Sequence, residues 1–144
     1  MAGVTHVEVF NCTRQEMFDL LKDCEKYPEF LKEVKSCKIL QDKDGEKIVE
    51  YKVSVIKDIM YLNTQREIAP SELTWKFMKG DLFKSMSGSW KLEDAPGGKT
   101  KATYTVAAEF GMFVPGMITK TLLAVNLPAL MQAYHKRIGE LYGK

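Results

Sequence analysis

The chain has 144 residues and a net charge of +2; 45% of the residues are hydrophobic, 28% charged and 10% aromatic. That length favours a single domain, residues 1–144, with one core, and the composition is too hydrophobic for a disordered chain. Lysines alternate with acidic residues and gather in no stripe, which argues against specific DNA binding.

There is no run of eighteen apolar residues, so no membrane-spanning helix is expected. The opening MAGVTHVEVF lacks a basic segment followed by an apolar one and does not read as a signal peptide. Cys12, Cys24 and Cys37 form an odd count with no close pairing, which suits reduced thiols in a cytoplasmic protein. His6 and His135 are the only histidines, and neither lies near a cysteine in sequence, so no metal site is expected.

The chain opens with VTHVEVF, whose alternation marks a half-buried strand: Thr5, Val7 and Val9 on one face, His6, Glu8 and Phe10 on the other. Thr13 and Glu16 have capping-box spacing, and Met17, Leu20, Leu21 and Cys24 follow at helical spacing, so a short helix is predicted over 14–24. Pro28 cannot continue that helix but suits the first turn of a second one carrying Phe30, Leu31 and Val34. The expectation is a helical corner that folds Tyr27 and Phe30 onto the core.

From Ser36 to Phe110 the pattern is strands and turns. Asp44-Gly45 between two strand-like runs is a hairpin signal. Further turns are expected at Pro70-Ser71 and at Pro96-Gly97-Gly98. Val49, Tyr51, Val53 and Val55 share one face of their strand; Leu73, Trp75 and Phe77 share a face of another. Met86, Gly88, Trp90 and Leu92 point one way, and Ala102, Tyr104, Val106, Ala108 and Phe110 line the last strand. From Pro115 to Tyr142 apolar residues, among them Leu123, Leu127, Met131 and Tyr134, recur at three and four, which predicts a helix of about 40 Å with a kink near Ala124 ahead of Pro128.

This order predicts an α+β architecture. Two short helices follow the first strand, and a curved antiparallel sheet of six to seven strands wraps a long C-terminal helix. Two short helices cannot cover such a sheet, so the terminal helix must do so; Gly88 would help the sheet curl. A sheet gripping one helix can leave an apolar gap between them, with Ala102 and Ala108 leaving room. Alternation does not distinguish such a pocket wall from interlocked core packing, and both readings stand at this point.

YPEFLKEVKSCKI (Tyr27 to Ile39), GSWKL (Gly88 to Leu92) and AYHKRIGELYG (Ala133 to Gly143) occur in an order and spacing that resemble one known group. It is the coenzyme-Q-binding branch of the START-like, helix-grip superfamily. That superfamily also holds polyketide cyclases and plant pollen allergens; bacterial members of the branch include the ribosome-association toxins. The resemblance covers nearly the whole chain. It implies a single START-like lipid-binding domain over 1–144, with a lipophilic tunnel between sheet and helix for ubiquinone or a similar isoprenoid lipid. It further implies that Tyr27, Pro28, Phe30 and Leu31 plug one end of the tunnel. The sequence departs from the family at Lys32, where a second proline is usual, at Glu33, where an aromatic is usual, and at Gln65, near a position that tends to be arginine.

On this reading the tunnel is lined by Tyr51, Val53 and Val55, by Leu73, Trp75 and Phe77, and by Trp90. Tyr104, Val106 and Phe110, then Leu123, Leu127, Met131 and Tyr134 on the helix, complete the lining. Burying a long prenyl or acyl chain there contributes about 25 cal/mol per Å² without catalytic contact. Met112, Phe113, Val114 and Met117 form an apolar connection suited to dip into a bilayer as a gate, with Lys120 meeting phosphates; packing on the sheet edge is the other reading. The expected protein is a cytoplasmic carrier able to touch the inner membrane, holding a hydrophobic small molecule or lipid and no other cofactor. Two alternatives remain. One is a cyclase-like enzyme using Glu109, Asp58 and Tyr104 as acid–base groups. The other is a ribosome-associating protein, which the family resemblance alone suggests.

Overall fold

The computed structural model describes residues 2–54, 58–111, 114 and 127–143. Strand β1 (Ala2–Phe10) leads to helix α1 (Arg14–Lys22) and a 3₁₀ segment (Cys24–Glu29). Strands β2 (Val34–Lys43), β3 (Glu46–Ser54), β4 (Asp58–Ile68), β5 (Glu72–Gly80), β6 (Phe83–Ala95) and β7 (Lys99–Phe110) follow, and helix α2 (Leu127–Tyr142) ends the described chain. The seven strands form one antiparallel sheet in the order β1-β7-β6-β5-β4-β3-β2. Strands β2 to β7 each pair with their sequence neighbours, and only β1 is recruited from a distance.

Local chemistry sets these elements. Glu16 N–H donates to Thr13 Oγ1 (3.1 Å) while Thr13 N–H donates to Glu16 Oε1 (2.9 Å), so the predicted capping box starts α1. Asp44 and Gly45 both have positive φ (55° and 75°), as a two-residue hairpin that keeps the strand twist requires. The second helix differs from expectation. Pro28 sits inside the 3₁₀ segment rather than opening a helix after it, and Phe30 and Leu31 lie on the way out to Val34, where β2 begins.

Irregularities bend the sheet: register shifts fall at Val34/Ser36 and Ile39/Gln41 in β2, at Leu62/Asn63 in β4 and at Phe83/Ser85 in β6. Gly88 has another part. A Cβ there would lie 2.2 Å from Trp75 Cζ2, so this glycine makes room for the indole opposite it.

Helix α2 turns Met131, Tyr134 and Ile138 into the core beside Phe10, Leu21, Val49 and Trp90. Pro128 is the second residue of the described helix. The expected kink near Ala124 lies outside the described residues, as do Val55, Met112, Phe113, Met117 and Leu123. Val114 is described and half-buried.

Strand β1 turns its polar side inward. Val7 and Val9 are each 49% exposed, while His6 and Glu8 are half-buried on the face that ends in Phe10. Three-dimensional pairing explains the inversion. His6 Nε2–H donates to Glu8 Oε1 (2.7 Å), and His135 Nε2–H, from α2, donates to Glu8 Oε2 (2.6 Å); the His135 ring also lies 4.7 Å from that of Phe10. The hydrogen bond from His135, then that from His6, holds the Glu8 carboxyl below its ordinary value of 4.5. A depressed folded-state value stabilises above the unfolded-state value, and this contribution is lost as pH falls from about 4.5 through the folded-state value. Glu8→Gln is therefore expected to lower the melting temperature at pH 7 by about 2–4 °C, the equivalent of about 1 kcal/mol. The difference should shrink as pH falls from about 4.5 through the folded-state value, as wild type loses the same carboxylate. Equal melting temperatures at pH 7 would remove Glu8 as the link between β1 and α2.

Candidate ligand cavity

The inward sides of β3 to β7 and helix α2 line a cavity of about 1030 Å³ that opens to solvent. Cavities of up to roughly that size hold drug-sized ligands. Of the residues expected on its wall, Tyr51, Val53, Leu73, Trp75, Trp90, Tyr104, Val106, Leu127 and Tyr134 lie there. Strand alternation places them, because every second residue of a half-buried strand faces the helix. Tyr27, Pro28, Phe30 and Leu31 also reach the cavity, all from the 3₁₀ corner.

That corner is tied to both helices. Tyr27 O–H donates to the Leu21 carbonyl (2.5 Å) at the end of α1. The Phe30 ring stands edge-on to Tyr134 at 5.5 Å and to Tyr27 at 6.0 Å. Arg137 of α2, its side chain only 14% exposed, pairs with Glu29 at 2.7 Å and lies 5.2 Å over the Phe30 ring.

Three expected residues are not on the described wall. Met131 is buried in the main core between helix and sheet. Phe77 and Phe110 have the right parity but pack against Phe83, whose ring lies 5.8 Å from Phe77 and 5.1 Å from Phe110. Phe83 takes the wall position instead, at the irregular start of β6. Other wall residues lie outside the sequence expectation, namely Val34, Tyr61, Asn63 and Met86, and Gln65, noted in the sequence as a departure from the family's arginine, also lines the cavity. Asn63 and Gln65 are 4% and 2% exposed, so polar side chains occupy inward positions on β4. The register of β4 against β3, with Tyr51 opposite Tyr61 and Val49 opposite Asn63, is the signal that places them.

The cavity is polar in two distinct ways. Its charged wall residues, Glu29, Lys32, Glu33, Lys136 and Glu140, are exposed or half-buried and form a rim. Its buried polar wall residues are neutral carboxamides and phenols. Gln65 Nε2–H donates to Glu67 Oε2 (3.2 Å), and Lys47 meets the same oxygen at 2.7 Å, so the nearest carboxylate is already matched. Burial pushes the Tyr104 hydroxyl up to about 12 and also holds Tyr27, Tyr51, Tyr61 and Tyr134 above the usual phenol range. These phenols stay protonated at neutral pH and can share hydrogen bonds but not accept protons as bases.

The acid–base trio suggested by the sequence is not assembled. Tyr104 lines the cavity, but Glu109 faces outward, 3.9 Å from Lys84, and Asp58 is exposed at the start of β4. The described residues include no group of three or more His, Cys, Asp or Glu side chains placed to hold a metal ion. Cys12, Cys24 and Cys37 are buried, and no disulfide joins them among the described residues. No helix among the described residues is long and apolar enough to cross a membrane.

Comparison with known proteins places this arrangement. Residues 11–134 match the family described as polyketide cyclase / dehydrase and lipid transport. The chain belongs to that family. Its fold is shared by a START superfamily protein of Mycobacterium smegmatis, at 20% identity over 96% of this chain and 98% of that one, with a TM-score of 0.85. A protein of Thermus thermophilus is similar at 18% identity over 98% and 99% of the two chains, also with a TM-score of 0.85. The Zhui aromatase/cyclase of a Streptomyces species is similar at 16% identity over 96% and 92%, with a TM-score of 0.78. A search of curated proteins found no match. Membership in the family and the helix-grip fold are thereby established for this chain, and members of this fold family bind hydrophobic ligands.

Proposed function

We propose that this protein is a non-catalytic carrier that holds one elongated hydrophobic ligand between the sheet and α2, an isoprenoid quinone or a lipid of similar shape. The observation that carries the reading is the cavity's composition. Its wall brings together the rings of Tyr51, Tyr61, Trp75, Phe83, Trp90 and Tyr104, while its carboxylates and lysines stand at the rim. Such a wall rewards apolar area, at about 25 cal/mol per Å² buried, and its described carboxylates stand at the rim, away from the aromatic floor. In this reading the corner of Tyr27, Pro28, Phe30 and Leu31 closes one end, latched to α2 by Arg137 and Glu29. The similarity to an aromatase/cyclase makes a cyclase the alternative, but it would have to work without Glu109 and Asp58.

Organic extraction of the purified protein, followed by mass spectrometry and a quinone absorbance scan, tests the proposal. The expected result is one apolar compound at near-stoichiometric amount. An empty extract, together with no uptake of a prenylquinone offered in phosphatidylcholine vesicles, would overturn it.

A further inference from the structure

The carrier reading leaves one atom unexplained. Asn63 is 4% exposed, its side chain borders the cavity, and its Oδ1 has no hydrogen-bond partner among the described residues. A buried acceptor without a donor is costly, and native structures rarely keep one without cause. The neighbouring inward residues do not relieve it. Gln65 gives its Nε2–H to Glu67, and Val49 and Phe77, directly across β3 and β5, have no polar side-chain atom.

We propose that Asn63 receives the ligand's head group and selects an uncharged aromatic hydroxyl, a phenol or the reduced, quinol form of a carried quinone, rather than a carboxylic acid. This inference rests on the carrier reading. A hydroxyl donates one hydrogen bond, to Asn63 Oδ1, and its own oxygen can accept one, which suits a carboxamide that has both an acceptor and N–H donors. A flat ring suits the same place, because Tyr51 and Tyr61 stack there at 5.2 Å with their planes 18° apart, and Tyr61 is the next inward residue to Asn63 on β4. A carboxylate finds the opposite conditions. Lys47, the cation across from Gln65, is bound to Glu67 at 2.7 Å, so among the described inward-facing residues of β3 and β4 a buried anion would meet carboxamide and phenol groups and no unmatched cation. Gln65 thus leaves this floor neutral.

Three probes of nearly equal size separate the possibilities: 1-naphthol, 1-methoxynaphthalene and 1-naphthoate, each titrated into the full-length protein by calorimetry. Naphthol is expected to bind about tenfold more tightly than its methyl ether, and naphthoate to bind most weakly. In Asn63→Leu, naphthol should fall to the affinity of the ether, while the ether changes less than about twofold. The wild-type comparison needs no variant, so a misfolded Asn63→Leu protein does not spare the proposal. Equal binding of naphthol and its ether to wild type would overturn the Asn63 assignment and leave the carrier standing. So would a naphthol preference that survives in folded Asn63→Leu, or failure of naphthol to bind a protein that does take up prenylquinone. Failure of all three probes together with an empty lipid extract and no vesicle uptake would overturn the carrier reading as well.

Discussion

Val53→Trp is expected to give a folded protein that no longer holds an elongated ligand. Val53 is buried on β3, opposite Val34 of β2 and Ile59 of β4, and its side chain borders the cavity. Adding bulk to a filled core costs about 1–3 kcal/mol, because neighbours are forced off their rotamers. Here the new ring enters open volume, so the stability loss should stay near the lower limit. The ligand bears the larger effect. An indole at Val53 displaces two or three methylenes of a chain lying along the sheet, at about 0.8 kcal/mol each, or roughly 30-fold in affinity. Quinone uptake from vesicles and a thermal melt read the two quantities separately. Unchanged uptake by a folded Val53→Trp protein would place the ligand elsewhere.

The sequence is most legible where a local rule acts alone. Thr13 and Glu16 cap α1 as their spacing predicts, and Asp44-Gly45 turns β2 into β3 because those residues tolerate positive φ. The inward positions of Leu73, Trp75, Trp90 and Tyr104 follow from alternation, since each lies between polar neighbours on its strand, and Val106 continues the same face two residues after Tyr104. Alternation fails where pairing overrides hydropathy. In β1 it separates the two faces correctly, but the inward face is the polar one. Glu8 is satisfied there by His135, which lies 127 residues away and appears in no local window. In β4, Asn63 and Gln65 interrupt the apolar rhythm, so their inward direction emerges only from the register with β3. Phe77 and Phe110 show a third limit. Parity tells which side of a sheet a residue takes but not what it packs against, and both rings pack against Phe83, which lines the cavity where they do not. The proline corner was readable as a bend, yet the 3₁₀ winding runs through Pro28 rather than starting from it.

Gly88→Val should destabilise the protein by about 2 kcal/mol and lower its melting temperature by roughly 4–8 °C. Gly88 and Trp75 are direct partners across β5 and β6. A Cβ at Gly88 would lie 2.2 Å from Trp75 Cζ2, 2.4 Å from Cε2 and 2.7 Å from Nε1, distances that no side chain can share. The indole must therefore leave the strand surface. Tyr104 hems it in on one side, with ring centroids 6.0 Å apart, and the open volume in front of it is the cavity. Displacement in that direction narrows the site, so ligand affinity should fall together with stability, and tryptophan fluorescence should shift with it. A double-mutant cycle separates this contact from any general intolerance of valine in β6. If the indole is the obstacle, Gly88→Val costs little in a Trp75→Leu background, because leucine is shorter than the ring that covers the glycine. An undiminished cost in that background would mean that Gly88 is required by the backbone of β6 itself, and that the close approach of Trp75 is a consequence of the glycine rather than the reason for it.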